Sequence, residues 1–342
     1  MKLIKGLIGF ILGILIFIVV CVIVTFIYHK ISNKIYEEKY YKVPGDLIEV
    51  YDGEKIHASK FGEGEYTIIM LPGMGTPSPY YDYYNLAKSL SEKNTVIIIE
   101  PLGYGYSTNT LKERTLENYT YEINKVLEYY NVEKNIVLLA HSYSGPITMN
   151  YANNNTNVVG YVCLDCTSAY QAEVYVNNNT EFPSYPDYYK YIAESGILRL
   201  IGIIGGDKLL NQLYLNDVPD EFRNDYEYFI YNKTLNETII NELRGFPIIE
   251  KEMLYKKYRD DLHVITYLAT DTIDTMNDEL KNETFLHGWE EMHELMRSNE
   301  SIQTINILEG EHYIYHGKVE EITNGINDMI ASISWFFRRF VV

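Results

Sequence analysis

Ile136-Val137-Leu138-Leu139-Ala140-His141-Ser142-Tyr143-Ser144-Gly145 runs from an unbroken apolar stretch into a serine with small residues two before and two after it. A chain that leaves a strand, reverses sharply and enters a helix needs that spacing, because a large side chain at either flank would collide as the backbone doubles back. Ala140 and Ser144 meet the steric requirement without glycine, and Gly145-Pro146 opens a helix, whose first turn tolerates proline. The pattern predicts a nucleophilic serine at the turn, Ser142. Ser144 is its rival, but it lies two residues before Pro146 and too far past the strand.

Outward from this turn, short apolar runs alternate with helical patterns, the mark of a mostly parallel sheet covered by helices. The expected strands are Leu47–Tyr51, Lys55–Phe61, Thr67–Leu71, Thr95–Glu100, Asn135–Ala140, Val159–Asp165, His263–Ala269 and Thr304–Leu308. Asp52-Gly53 joins the first two as a hairpin turn, so the sheet opens antiparallel. Asn118–Tyr130 and Pro146–Ala152 read as helices. The gap from Asp165 to His263 exceeds what a crossover helix needs, and its content is helical over Asp187–Ile204, Glu237–Glu242 and Glu250–Tyr258. An insert there is expected to lie over the carboxyl ends of the strands, where ligands bind in open α/β sheets.

Three further motifs stand in order around the serine turn. Leu71-Pro72-Gly73-Met74-Gly75 follows the third strand, Glu100-Pro101-Leu102-Gly103-Tyr104-Gly105-Tyr106-Ser107 follows the fourth, and Leu308-Glu309-Gly310-Glu311-His312-Tyr313 follows the last. With the serine turn, the set resembles the α/β-hydrolase superfamily from about Leu47 to the C-terminus, the insert apart. Proline replaces histidine in the loop that resembles His-Gly, and glutamate replaces aspartate in the turn that resembles Asp-x-x-Gly-x-Gly-x-Ser. The resemblance implies an eight-stranded, mostly parallel sheet with a helical cap, and a serine hydrolase of the esterase or lipase kind. The expected organisation is core over 46–170 and 261–342 with a cap over 171–260.

The chemistry follows from the residue types. A tetrahedral intermediate places charge on oxygen, which two backbone amides must meet; by position these are Met74 and Tyr143, with Gly73 and Gly75 allowing close approach. A serine hydroxyl needs a base, and an imidazole titrating near neutrality suits the task. His312, reached from the terminal strand through Gly310, is the expected base. His141 is expected to pack or hydrogen-bond under the turn, and His287, His293 and His316 to lie at the surface or behind the site. The acid that orients the imidazole is one of three: Asp165 at the end of the sixth strand, which is favoured, or Asp271 or Asp274 after the seventh. The chemistry requires no metal or organic cofactor. Cys163 and Cys166 have metal or redox spacing but no second pair, and read as buried structural thiols; Cys21 lies in the apolar N-terminus.

Gly6–Tyr28 contains no charge and is long enough as a helix to cross a bilayer core of ~30 Å. It reads as a transmembrane anchor over 1–30 with a polar linker over 31–45. A cleaved signal would carry a shorter apolar run and a small-residue cleavage site, which Tyr28-His29-Lys30-Ile31-Ser32 lacks. Lysines on both flanks leave orientation weakly specified, with an extracytoplasmic catalytic domain favoured. A net charge of −18, from 47 acids against 29 bases, excludes a nucleic-acid partner. The expected substrate is a neutral, largely apolar ester or similar acyl compound. Gly196–Ile204 is apolar enough to line an acyl pocket, to pack cap on core, or to dock on the bilayer. Two other readings are a proline-releasing aminopeptidase, with Glu181 or Glu194 holding the substrate ammonium, and a non-catalytic binding protein on this fold.

Overall fold

Strands covered on both faces need no polar alternation, and runs such as Thr67–Leu71 and Ile136–His141 are apolar throughout for that reason. The structure, a computed structural model, describes residues 2–177, 186, 191, 195–210, 218–281 and 286–340. Four nearly fully buried strands form the middle of one sheet: β3 (Thr67–Leu71), β4 (Thr95–Glu100), β5 (Ile136–His141) and β6 (Val158–Leu164). β1 (Asp46–Tyr51) and β2 (Glu54–Phe61) extend it on one side, β7 (His263–Ala269) and β8 (Gln303–Leu308) on the other. The order is β1-β2-β4-β3-β5-β6-β7-β8, antiparallel across β1/β2 and β2/β4 and parallel elsewhere. The expected strands match these within a residue at each end.

Successive residues of a strand face opposite sides. Ile69, Leu71, Leu138 and Ala140 enter one apolar cluster, with α4 (Leu116–Tyr129) and α5 (Ser144–Asn154) over them. Ile68, Met70, Val137 and Leu139 enter the other. There they meet α3 (Tyr84–Leu90), which follows the single turn α2 (Pro79–Asp82), and the C-terminal helix. From β3 the chain goes out to β4 on one side and returns to β5 on the other. This switch point opens a crevice at the carboxyl ends of β3 and β5, where the glycine loop and the serine turn lie.

The N-terminal helix α1 (Lys2–Lys39) has its apolar stretch exposed to the outside all round. It does not stop at residue 30 but continues through most of the expected linker, because Ile31–Lys39 holds no glycine or proline to break it. Between β6 and β7 come α6 (Glu173–Asn177), α7 (Ile197–Leu210), a short 3-10 turn at Asp220–Phe222, α8 (Arg223–Lys233) and α9 (Glu237–Met253). Most of Asp187–Glu194 lies outside the described residues; the helix expected up to Ile204 continues to Leu210. The two helices expected at Glu237–Glu242 and Glu250–Tyr258 are one, capped by the Asn236 side chain on the amides of Thr238 and Ile239, with Pro247 inside it. Left-handed Tyr255 (φ 64°) follows its end. The isoleucines of α7 point outward, Ile204 being 78% exposed, so this stripe is surface and not the lining of an acyl pocket. α10 (Thr270–Lys281), α11 (Trp289–Met296) and α12 (Val319–Phe340) complete the core.

Candidate active site

β5 ends at His141, α5 begins at Ser144, and the reversal between them puts Ser142 at φ 51°, a left-handed value that costs a residue with a Cβ ~1–3 kcal/mol. Three backbone bonds hold it there: the Ser142 amide donates to the Leu164 carbonyl at 3.3 Å, and its own carbonyl accepts from Gly145 at 2.9 Å and Thr167 at 3.0 Å. A Cβ on Gly145 would sit 2.5 Å from that of Cys166, so glycine lets the helix start close to the loop after β6. Ser144 is buried, its hydroxyl 3.0 Å from the carbonyls of Leu71 and His141. Ser142 is partly open, and its hydroxyl has no partner among the described residues. Of the two serines, Ser144 is the one whose hydroxyl is already engaged.

After β8, Gly310 at φ 146° turns the chain and His312 reaches back, its Nδ1 2.7 Å from Asp165 Oδ2. Asp165 lies at the end of β6, is itself left-handed (φ 45°), and is fully buried. Three further donors surround it. Trp289 Nε1 at 2.9 Å and the Ala269 amide at 3.2 Å reach Oδ1, and the Thr272 hydroxyl reaches Oδ2 at 2.5 Å. Burial alone would raise its pKa, but the His312 hydrogen bond and charge, with Thr272 and Trp289, outweigh it and hold the carboxyl below its usual range. Asp271 and Asp274 are not brought to the imidazole: both are exposed on α10, and the Asp271 carboxylate accepts from the Thr270 hydroxyl at 3.3 Å.

The His312 side chain is 42% exposed and its ring centroid stands 4.7 Å from that of His141, the neighbour of Ser142. His141 is buried beneath, with Nε2 3.1 Å from the His312 carbonyl and Nδ1 without a partner among the described residues. Burial, then the nearby His312, holds its pKa well below the usual value, so it is neutral. Gly73 faces this corner: a Cβ there would stand 2.6 Å from His141 Nδ1 and 3.1 Å from Ser142 Cβ. Among the described residues, no acceptor occupies the amides of Met74 and Tyr143, which follow β3 and β5. Of the other histidines, His293 is buried beside Trp289, His287 pairs with Glu173 and Glu291 at 3.2 Å each, and His316 pairs with buried Asp82 at 3.1 Å. Cys163 and Cys166 are buried free thiols. Glu181 and Glu194 lie outside the described residues.

Sequence reasoning missed a carboxylate network beside the site. Glu242 on α9 accepts from the hydroxyls of Tyr104 and Tyr119 at 2.5 Å each; Tyr104 Oη in turn accepts from the Gly75 amide at 3.3 Å, and Tyr119 Oη lies 3.1 Å from Tyr143 Oη. Buried Arg114 binds Glu122 through two bonds of 2.7 and 2.9 Å and stands 3.7 Å from Glu242. Burial pushes the Glu242 carboxyl up to about 7 against the pull of Arg114 and the tyrosines. Its helical spacing from Ile239, Phe246 and Ile249 was the available signal, a charge on an apolar face. Glu100 is structural. It accepts from Ser78, the Tyr80 and Tyr106 amides and His57, and the turn wraps it so closely that a Cβ at Gly105 would overlap the carboxylate.

A family model described as the alpha/beta hydrolase fold matches residues 66–316. Among curated proteins, an uncharacterized protein YbdG of Bacillus subtilis is 28% identical over 116 residues, 34% of this chain and 35% of that one. A cis-3-alkyl-4-alkyloxetan-2-one decarboxylase of Shewanella oneidensis is 31% identical over 104 residues, 30% of this chain and 32% of that one. The chain thus spans about a third of the length of these relatives. Solved structures of similar fold include an esterase from Exiguobacterium antarcticum (TM-score 0.57, 16% identity, 84% of this chain and 99% of that one). An epoxide hydrolase from Vigna radiata is comparable (TM-score 0.60, 16% identity, 83% and 97%).

Proposed function

The chain belongs to the α/β-hydrolase fold family, and within it we propose a membrane-anchored serine hydrolase that cleaves a neutral, largely apolar carboxylic ester through an acyl-Ser142 intermediate. The observation that carries the reading is the 2.7 Å Asp165–His312 pair, standing against His141 beside a serine held at positive φ. Ser142 Oγ attacks the acyl carbonyl while His312 Nε2 takes its proton. Asp165 holds the Nδ1–H tautomer and stabilises the imidazolium. The Met74 and Tyr143 amides receive the oxyanion, and collapse expels the alkoxide, which takes the proton from His312. Water then attacks the acyl-serine with the same base, releasing the acid and restoring the hydroxyl.

An ester fits this nucleophile better than an epoxide. Opening an epoxide with a hydroxyl would form an ether that water does not cleave, whereas an acyl-serine is itself a hydrolysable ester. The anchor reading rests on α1, whose apolar stretch is exposed all round, unlike that of a core helix. Extraction at alkaline pH is expected to leave the protein in the membrane pellet with Met1 still its first residue; release, or a first residue beyond Tyr28, would make it a cleaved signal. A fluorophosphonate probe on the full chain is expected to label wild type and Ser144→Ala but not Ser142→Ala. In a panel of p-nitrophenyl esters and amino-acid anilides, esters are expected to turn over. Turnover of anilides alone would favour the aminopeptidase reading, and labelling that survives loss of Ser142 would sink the assignment.

A further inference from the structure

A cap helix of a water-soluble enzyme buries its apolar face and shows water its charges. α7 shows the outside an apolar face instead. Towards its neighbours go Leu198, Arg199 and Gly202, with Gly196 just before the helix; outward go Ile197, Ile201 and Ile204, at the i, i+4, i+7 spacing of one helical stripe, with Ile203 beside them. These are 37%, 47%, 78% and 58% exposed, and from Ile197 to Gly205 Arg199 is the one charged residue. Its guanidinium donates to Asn33 Oδ1 at 2.9 Å and His29 Nδ1 at 3.3 Å of α1, and lies over the Tyr231 ring.

The facing part of α1 is arranged in the same way. His29 and Asn33 are buried, Asn33 donating to Asn232 of α8 at 2.6 Å, while Phe26, Ile27 and Ile31 are exposed, with Lys30 and Lys34 marking where α1 passes from the apolar run to water. Glycine allows the two helices to approach: a Cβ on Gly196 would stand 2.6 Å from His29 Cβ and 3.3 Å from the Thr25 carbonyl. α7 therefore meets α1 between Thr25 and Asn33, where the uncharged run Gly6–Tyr28 ends. Immediately beyond, α1 and α8 border a cleft of about 630 Å³ lined by Ser32, Lys39, Lys42, Glu221, Asp225 and others, which belongs to the aqueous side.

We propose that α7 is a second membrane element, its isoleucine stripe lying in the boundary between headgroups and acyl chains of the leaflet from which α1 emerges, so that the cap rests on the bilayer. The inference depends on the reading of α1 as a span. The occupant is lipid because α7 is fastened to α1 where the exposed, uncharged run Gly6–Tyr28 ends, and an exposed apolar stripe held at the end of a membrane span lies at the level of the bilayer surface. The hydrolase then takes esters carried in the membrane.

The full chain in phosphatidylcholine vesicles tests this. An NBD fluorophore is placed at Ile204→Cys, at Val19→Cys within the span, and at Lys134→Cys on the exposed far loop, with the unsubstituted chain as background for its own cysteines. Lipids bearing a nitroxide near the headgroup are expected to quench the Ile204 label at least about twofold more than the Lys134 label, as for an interfacial helix. An Ile204 label quenched like Lys134, with Val19 shielded from water, overturns the docked cap and leaves the anchor standing. An Ile204 label shielded from water yet insensitive to the lipid quencher also overturns it, since protein then covers the stripe. A water-exposed Val19 label overturns the anchor and this inference together. Substituting both Ile203→Asp and Ile204→Asp is expected to cut turnover of a vesicle-borne ester ~10-fold, given the apolar area withdrawn from lipid, and to leave a water-soluble ester unaffected. Equal rates on the vesicle ester, or equal losses on both esters, count against it.

Discussion

Asp165 in the core and Glu242 in the cap are both buried carboxylates that accept several hydrogen bonds, yet they are held in opposite directions. Asp165 receives a backbone amide, an indole, a hydroxyl and an imidazole that can carry charge, and is kept ionised. Glu242 receives two phenol hydroxyls, its nearest cation Arg114 is committed to Glu122, and burial wins. Glu250, further along α9, goes further: one carboxylate oxygen has no partner among the described residues, and burial pushes its pKa to about 8. A buried carboxylate with full charge-assisted bonding can orient a base at neutral pH; one without it holds a proton and packs as a neutral group. The core end of the crevice is therefore electrostatically set, and the cap side titrates.

The largest effects test the core side. His312→Ala is expected to lower ester turnover ~10⁴-fold or more, because no base then takes the Ser142 proton, and fluorophosphonate labelling checks it directly. Asp165→Asn is expected to lose a similar amount, roughly 10³–10⁴-fold, at a melting temperature close to wild type, since tautomer and charge are both wrong while the shape is kept. Asp271→Asn, exposed on α10, is expected to stay within about threefold of wild type. A large loss at Asp271 with Asp165→Asn fully active would break the comparison at its root.

That contrast was only half legible in the sequence. Strands were readable to a residue because period and length mark them locally, and the serine turn because its small flanks are a local steric demand. Asp165 could be favoured but not chosen over Asp271, since Trp289 and Thr272 bind it from 124 and 107 residues away, and no local pattern announces such pairs. Glu242 was passed over because its partners Tyr104 and Tyr119 are 138 and 123 residues distant. Pocket lining, cap-to-core packing and bilayer docking all stayed open for the apolar run of α7, because composition shows that a helix is apolar and not which neighbour it faces.

The cap side is sharpened by pH. In the folded protein Glu250 holds its proton up to about 8, while in the unfolded chain it releases it near ~4.3. Between these values the folded state binds more protons, so its contribution, fully present below the unfolded pKa, is lost as pH rises through the window. Glu250→Gln does not titrate. The melting temperature of the variant minus that of wild type, followed from pH 5 to 8, is expected to rise with pH by the equivalent of ~2–4 kcal/mol, or several degrees. A flat difference would mean that Glu250 is paired and ionised like Asp165.

On the cap side the smallest effect is expected at Tyr143, where the two regions meet in one residue. Its amide is a proposed oxyanion donor, whereas its ring is buried against Phe246 and its hydroxyl lies 3.1 Å from that of Tyr119 in the Glu242 network. Tyr143→Phe keeps the amide, the ring and the turn, and removes one hydroxyl contact. A hydrogen bond of this kind contributes ~0.5–1.5 kcal/mol, so a small drop in melting temperature is expected, with kcat within about threefold of wild type. If kcat instead falls by ~100-fold, or by ~2.7 kcal/mol of transition-state stabilisation, with the melting temperature unmoved, the cap network acts on the oxyanion amides through the Tyr143 ring. The division between an electrostatically set core and a titrating cap would then be wrong, and turnover should follow the protonation of Glu242 near pH 7, a dependence that Glu242→Gln would abolish.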